Sequence, residues 1–253
     1  MWRLILLFIL LLGAIIGSFI GAYTYRYPRN ISISKGRSKC PKCKKQIEWY
    51  DNIPILSFVL LSGKCRHCKK KISFRYPIIE VSTSLVFGLI AFLARDFGLL
   101  QIMILLFIAA LLVCVFVTDW ENRIISDEVI FLGFIANSIL LLLSDDKNIF
   151  MYLLSGFGSA LFLLIVNLAT RGKGMGLGDV KLALFIGSFL GIMNSFMWLS
   201  VSFMIGGIFG VFVLLFGKMK LKQEVPFGPF LIIGLIVILL FGVHLKKYVN
   251  FGF

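Results

Sequence analysis

Acidic residues are scarce in this chain: its 253 residues include only 12 Asp and Glu, and charged side chains of both signs make up 15%. With 59% hydrophobic residues and a mean hydropathy of +0.97, that scarcity excludes a soluble domain with an oily core. The composition is that of a polytopic membrane protein. An RNA-binding signature, a recognition helix and an aromatic-interleaved basic patch are also missing. The formal net charge of +14 therefore does not point to nucleic acid, and reflects membrane topology instead. No strand in a βαβ setting precedes a glycine-rich loop, so a conventional nucleotide-binding fold is excluded as well.

What is present is a series of apolar runs: 4–22, 78–94, 99–118, 129–143, 149–169, 180–192, 196–216 and 227–243. They predict an all-α protein of about eight transmembrane helices with a small cytoplasmic insertion. The first run resembles a signal peptide, but only Arg3 precedes it while Arg26 and Arg29 follow. That asymmetry predicts a retained anchor, with the amino terminus outside and the next loop inside. Eight spans then put both termini outside. The basic loops 23–77, 119–128, 170–181 and 217–225 face the cytoplasm, and the Asp145-Asp146 turn faces out. His244, Lys246 and Lys247 depart mildly from the pattern. Met193-Asn194-Ser195 reads as the turn between the sixth and seventh spans. The fourth and sixth runs are short for a hydrocarbon core of about 30 Å. A thinned or water-filled region fits that shortness, and so does boundary error.

The loop 23–77 holds 14 Lys and Arg against Glu48 and Asp51, a net of +12. It also holds four of the five cysteines, as Cys40-Pro41-Lys42-Cys43 and Cys65-Arg66-His67-Cys68, with 21 residues between the pairs. Two C-x-x-C knuckles suit four thiolates around a tetrahedral Zn²⁺ with no open position, hence a structural ion. Two disulfides are the alternative, and they need an oxidising compartment. Basic loops stay in the cytoplasm, where thiols remain reduced, which favours zinc. Cys114 sits in an apolar run and reads as packing.

Two of the few acids stand at span ends that the topology puts on one face: Asp119 after the third run, and Asp179 before the sixth. A carboxylate at a membrane boundary is costly unless solvated, paired or used. Both could be solvated helix-end groups, and Asp179 could cap its helix. Two carboxyl groups meeting in one wet cleft would instead supply an acid and a base, the requirement for activating water against a peptide carbonyl. Gly172, Gly174, Gly176 and Gly178 alternate just before Asp179. That run predicts an extended or left-handed backbone able to approach a bound peptide.

The order of short motifs is more specific than any one of them. Gly17-Ser18-Phe19 and Tyr25-Arg26-Tyr27-Pro28 come first, then Ser38-Lys39 ahead of the first knuckle and Trp49-Tyr50-Asp51-Asn52-Ile53-Pro54. Gly63-Lys64 ahead of the second knuckle and the stretch Ile72 to Glu80 follow. Next come Asp119 with Asp127 eight residues on, Gly176-Leu177-Gly178-Asp179-Val180-Lys181, and Pro226-Phe227-Gly228-Pro229-Phe230. Over some 200 residues this resembles the bacterial type IV prepilin leader peptidase/N-methyltransferase family, membrane aspartic proteases of the glycine-x-glycine-aspartate class. Two departures stand out, Gly21 where the family often has Asn and Ser126 where it often has Pro.

The resemblance implies a bifunctional enzyme of the bacterial inner membrane. It would cut the leader of type IV prepilins or pseudopilins after a glycine, on the cytoplasmic side. It would then methylate the new amino group with S-adenosylmethionine. Asp119 and Asp179 map to the catalytic pair, and Cys40, Cys43, Cys65 and Cys68 to the zinc domain. The implied division is a first helix (1–22), a methyltransferase-associated zinc domain (23–77) and a peptidase domain (78–253). Glu80 and Asp51 are candidates for binding the methyl donor, through its ammonium or ribose hydroxyl groups. A solvated interfacial acid and a turn residue are their plainer readings. Lys181 is expected one helical step from the acid pair, either favouring ionisation there or anchoring the span end. A peptidase without working methyl transfer is one alternative, and a non-enzymatic membrane assembly factor or transporter another. A transporter would carry ionisable groups near mid-membrane, whereas these acids lie at one face. Membrane lipid and prepilin are the expected partners.

Overall fold

The computed structural model describes residues 2–33, 38–143, 148–172, 174–216 and 226–245. The Asp145-Asp146 turn, the loop 217–225 with Lys218, Lys220 and Lys222, and Lys246 and Lys247 lie outside the described residues. The protein is all-helical, with only isolated bridges between extended residues among those described. The helices are α1 (Trp2–Arg26), α2 (Leu56–Leu60), α3 (Arg75–Leu93), α4 (Leu99–Asn122), α5 (Asp127–Leu142), α6 (Ile149–Ala169), α7 (Leu177–Leu190), α8 (Ile192–Phe216) and α9 (Gly228–Leu245). All but the short α2 coincide with the eight predicted apolar runs. Five of them, α1, α3, α4, α6 and α8, are long and apolar enough to cross a membrane. The chain forms two compact units, Met1–Cys114 and Val115–Phe253.

In the first unit, α1 meets α3 through glycines. Gly13, Gly17 and Gly21 recur every fourth residue and so share one face. A β-carbon at Gly13 would lie 2.7 Å from Ser84 Cα, and one at Gly17 would lie 2.8 Å from Glu80 Cα. Backbones therefore touch, the arrangement small residues permit where no hydrophobic driving force separates helix from lipid. The Ser84 hydroxyl donates across the contact to Leu10 O at 2.8 Å. At the end nearest the insertion, Arg75 donates to Gly21 O at 2.8 Å and to Thr24 Oγ1 at 2.5 Å. Ile9, Phe87, Ala91, Leu106 and Ala109 form the apolar centre of this unit, joining α1, α3 and α4.

In the second unit, α7 is the short central helix. Gly156 of α6 lies against Leu184 O, and Gly187 of α7 lies against Ser159. On its other side the Phe185 ring fills the notch at Gly133 of α5, and Asn137 donates to Ser188 Oγ at 3.1 Å. Trp198 of α8 is fully buried and donates to Leu231 O of α9 at 2.7 Å. The turn after α7 is not at Met193-Asn194-Ser195, which already belong to α8. It is at Gly191, whose φ of +74° is cheap only for glycine and ends α7 there.

Candidate active site and cysteine cluster

Asp119 lies inside α4, one turn before its end, rather than just beyond a span. Arg123, with φ +57°, then turns the chain away, and Ile125 folds back towards α7 and α9. A β-carbon at Gly178 would lie 3.0 Å from Ile125 Cβ, and one at Gly228 would lie 3.3 Å from Ile125 Cδ1. Asp179 occupies the first turn of α7, and its Oδ2 accepts the N–H of Gly176 at 3.1 Å. It therefore caps its helix, as one reading of the sequence allowed. Both acids are buried, Asp119 at 4% exposure and Asp179 at 6%. They are neighbours close enough to feel each other's charge.

Gly228 joins them. Its peptide N–H faces both carboxyl groups, and a β-carbon on it would lie 2.5 Å from Asp119 Oδ2. That oxygen is buried and has no hydrogen-bond partner among the described residues. A buried acid with an unused oxygen, beside a second buried acid, can bind and polarise an incoming polar group. Phe227 and Phe230 flank Gly228, 6.3 Å apart, and Phe230 packs at a tilt 5.2 Å from Phe209, which reaches Trp120 beside Asp119. The site thus has an aromatic wall. Sequence reasoning quoted Gly228 within its motif but gave it no part, and a glycine between Phe and Pro at a helix start was the available signal.

The alternating glycines do not behave alike. Gly172 takes φ +74° and Gly176 is extended at φ −81°, as expected for an open approach. Gly178 is already helical and is small because Ile125 faces it. Lys181 reaches Asp127, bonding both its carboxylate oxygens at 2.7 and 2.8 Å on an exposed surface. Its charge ties α7 to the start of α5.

The four cysteines of the insertion are free thiols whose sulfurs all lie within 4.8 Å of one another, with Cys40 and Cys68 at 3.9 Å. Tetrahedral Zn–S bonds of about 2.3 Å place sulfurs roughly 3.8 Å apart, so the cluster fits the ion. The backbone explains why. In each knuckle the first cysteine N–H donates five residues on (Cys40 to Lys45 O, Cys65 to Lys70 O, both 2.9 Å), and Lys44 and Lys69 turn at φ +61° and +56°. Residues 38–47 and 63–72 are two copies of one hairpin, sharing Lys, Cys, Cys, Lys, Lys and Ile at equivalent positions. This repeat escaped the sequence reading. Burial opposes the Cys40 thiolate, but hydrogen bonds from the peptide groups of Cys43 and Lys42 and from the Cys43 and Cys65 thiols together outweigh it and bring the thiol down to about 7.

Asp51 is clasped by Arg66 of the second knuckle at 2.6, 2.8 and 3.1 Å, and that guanidinium holds its carboxyl below the usual range. Glu80, buried at the start of α3, accepts the N–H of Ile55 at 2.7 Å and also meets Ser18 of α1. Ile55 has φ +61° and ψ −52°, and Leu56 N–H returns to Pro54 O at 2.5 Å. This is a γ-turn of the strained kind, uncommon for a β-branched residue. Glu80 holds it in place.

A polytopic helical protein with two buried, adjacent aspartates and a four-cysteine insertion is the class so defined. Comparison with known proteins narrows it. The family model for the bacterial peptidase A24 N-terminal domain matches residues 11–94, and that for the type IV leader peptidase family matches residues 104–211. A prepilin leader peptidase/N-methyltransferase of Bacillus subtilis is 34% identical over 91% of this chain and 92% of its own. One of Vibrio cholerae is 30% identical over 90% and 93%, and the type 4 prepilin-like proteins leader peptide-processing enzyme of Escherichia coli is 32% identical over 88% of each. No solved structure matches. The chain belongs to the type IV leader peptidase family.

Proposed function

We propose that this chain is a bifunctional enzyme of the bacterial inner membrane that removes the leader from type IV prepilins or pseudopilins and N-methylates the residue so exposed. Its relatives carry both activities in their names along nearly the whole chain. The observation that carries the peptidase half is the pair Asp119 and Asp179, buried together against the peptide of Gly228. One carboxyl, protonated, polarises the scissile carbonyl while the other, ionised, takes a proton from the attacking water. The tetrahedral intermediate collapses as a proton passes to the leaving nitrogen, releasing the new amino terminus. The extended Gly176 directly precedes α7 and bonds Asp179, and beside it an unwound substrate could align before cleavage after its glycine.

The methyltransferase half belongs to the insertion. S-adenosylmethionine supplies an electrophilic methyl group to the freed amine. Glu80 and Asp51 are the acids assigned to hold its ammonium or ribose, since each accepts from a protein donor yet keeps lone pairs to spare. Cys40, Cys43, Cys65 and Cys68 would hold a structural Zn²⁺ that joins the two hairpins. The net charge of +12 on residues 23–77 supports a cytoplasmic zinc domain and active site, with eight spans and both termini outside. The divisions 1–22, 23–77 and 78–253 follow, although α1 itself continues to Arg26.

The test is incubation of the reconstituted protein with a synthetic prepilin and S-adenosylmethionine, read by mass spectrometry. Loss of the leader and gain of one methyl is the expected product. Loss of the leader alone would leave a peptidase only, and an unchanged peptide would leave a non-enzymatic assembly factor. Asp119→Asn and Asp179→Asn should each abolish cleavage, and cleavage retained by both would end the assignment.

A further inference from the structure

The insertion presents an apolar face that neither the cysteine cluster nor the acid pair uses. In α2, Ser57 and Phe58 turn inward: the Ser57 hydroxyl donates to Tyr50 O at 2.7 Å, and the Phe58 ring meets Phe74 at 5.2 Å. Leu56, Val59 and Leu60 share the opposite side and are 50%, 65% and 74% exposed. An exposed helix surface of three aliphatic residues and nothing polar is an interaction surface.

Its height along the molecule is fixed. Glu80, on the second turn of α3, holds the N–H of Ile55, the residue immediately before α2. Phe74, immediately before α3, holds Phe58 within α2. Phe74, Ile78, Val81 and Leu85 form one exposed apolar stripe along α3. The outward face of α2 therefore stands at the level where that stripe ends. Trp49, 73% exposed, and Tyr50 are of the residue types that settle at the headgroup level. The surrounding segment carries the net charge of +12, complementary to anionic headgroups.

We propose that α2 is an interfacial helix, which lies in the headgroup–acyl boundary of the same bilayer and anchors the zinc-binding insertion flat on an anionic membrane surface. The occupant of the Leu56, Val59 and Leu60 face is phospholipid. This rests on the reading of α1 and α3 as membrane spans.

The experiment places the photoreactive residue p-benzoylphenylalanine at position 60, 45 or 8 of the full chain. Each variant is reconstituted in bilayers containing anionic phospholipid, with synthetic prepilin present, and adducts are identified by mass spectrometry. Position 8, where Phe8 is 66% exposed on α1, reports the spans, and position 45 reports a knuckle surface. Acyl-chain adducts at position 60 should match those at position 8 and exceed those at position 45 on the order of tenfold. Cross-links from position 60 to prepilin or to a second copy overturn the proposal, as does no lipid adduct there when position 8 gives one. Absence at both positions overturns the span reading, and the anchor with it. Where the position 60 variant loses cleavage, position 59 on the same face replaces it.

Discussion

Gly228 stands so close to Asp119 that its missing side chain is part of the site. A β-carbon there would lie 2.5 Å from Oδ2 and 3.3 Å from Cγ. The acid is held by α4, itself packed into the helix bundle, so the added methyl would displace either the carboxyl or the start of α9. Gly228→Ala should therefore lower cleavage on the order of 100-fold, the cost of a displacement near 1 Å at a reacting group. Methylation of a prepilin already cut should persist. Single-turnover cleavage and methyl transfer measured on the same preparation would check both, and cleavage at the parent rate would show that the contact is incidental.

The glycines before Asp179 should separate on substitution. Gly178 faces Ile125 at 3.0 Å, whereas the space at Gly176 is open, with Asp179 Oδ2 the nearest atom at 3.5 Å. Gly178→Val should cut turnover sharply by moving the first turn of α7. Gly176→Val should act only if substrate backbone comes against it. Turnover and prepilin binding should be measured for both variants. Parent turnover in both would show that neither the Ile125 contact nor a close approach at Gly176 matters to cleavage.

Ser126 should tolerate the proline common in its family. Its φ of −72° already suits proline, and its buried hydroxyl makes no cap bond and has no partner among the described residues. Ser126→Pro removes an idle polar atom and stiffens the unfolded chain, a gain of about 0.4–1 kcal/mol. Thermal unfolding should shift upward with cleavage unchanged. A large loss of stability would reveal a hidden use of the Ser126 N–H.

Metal removal should act unevenly on the two activities. Zinc binding is folding free energy for small sites of this kind, on the order of 10 kcal/mol. Chelation, or Cys→Ser at any of Cys40, Cys43, Cys65 and Cys68, should raise hydrogen exchange across residues 38–72. It should also impair methylation at least as strongly as cleavage. One zinc per chain is the expected metal content. Cysteines isolated as disulfides would contradict both the ion and the reduced compartment.

Much of this was legible because membrane helices announce themselves through composition. Each apolar run became a helix, and the two knuckles became a cluster. The errors share a cause. Apolarity marks where a helix meets lipid, not where its hydrogen bonding stops, so α4 runs on through Asp119 to Asn122 and α1 to Arg26. The position of Gly191 was visible as a glycine, but its left-handed role emerged only with the backbone. The approach of Gly228 to Asp119 joins residues 109 positions apart along the sequence, and no local pattern encodes such a contact. The γ-turn at Ile55 was illegible for a stronger reason: a β-branched residue argues against it, and Glu80 from another helix stabilises it.

The bonds from Arg75 to Gly21 O and Thr24 Oγ1 have a consequence for modularity. They fasten the exit of the insertion to its entrance, so the long excursion from Arg26 to Arg75 leaves and rejoins the bundle at one point. Closing a loop whose ends already touch costs free energy that rises only slowly with its length. The excursion can therefore lengthen, shorten or be exchanged without disturbing the register of α1 against α3. Evolution, or an engineer, could graft a different head onto this junction of two helices and leave the buried acids where they are.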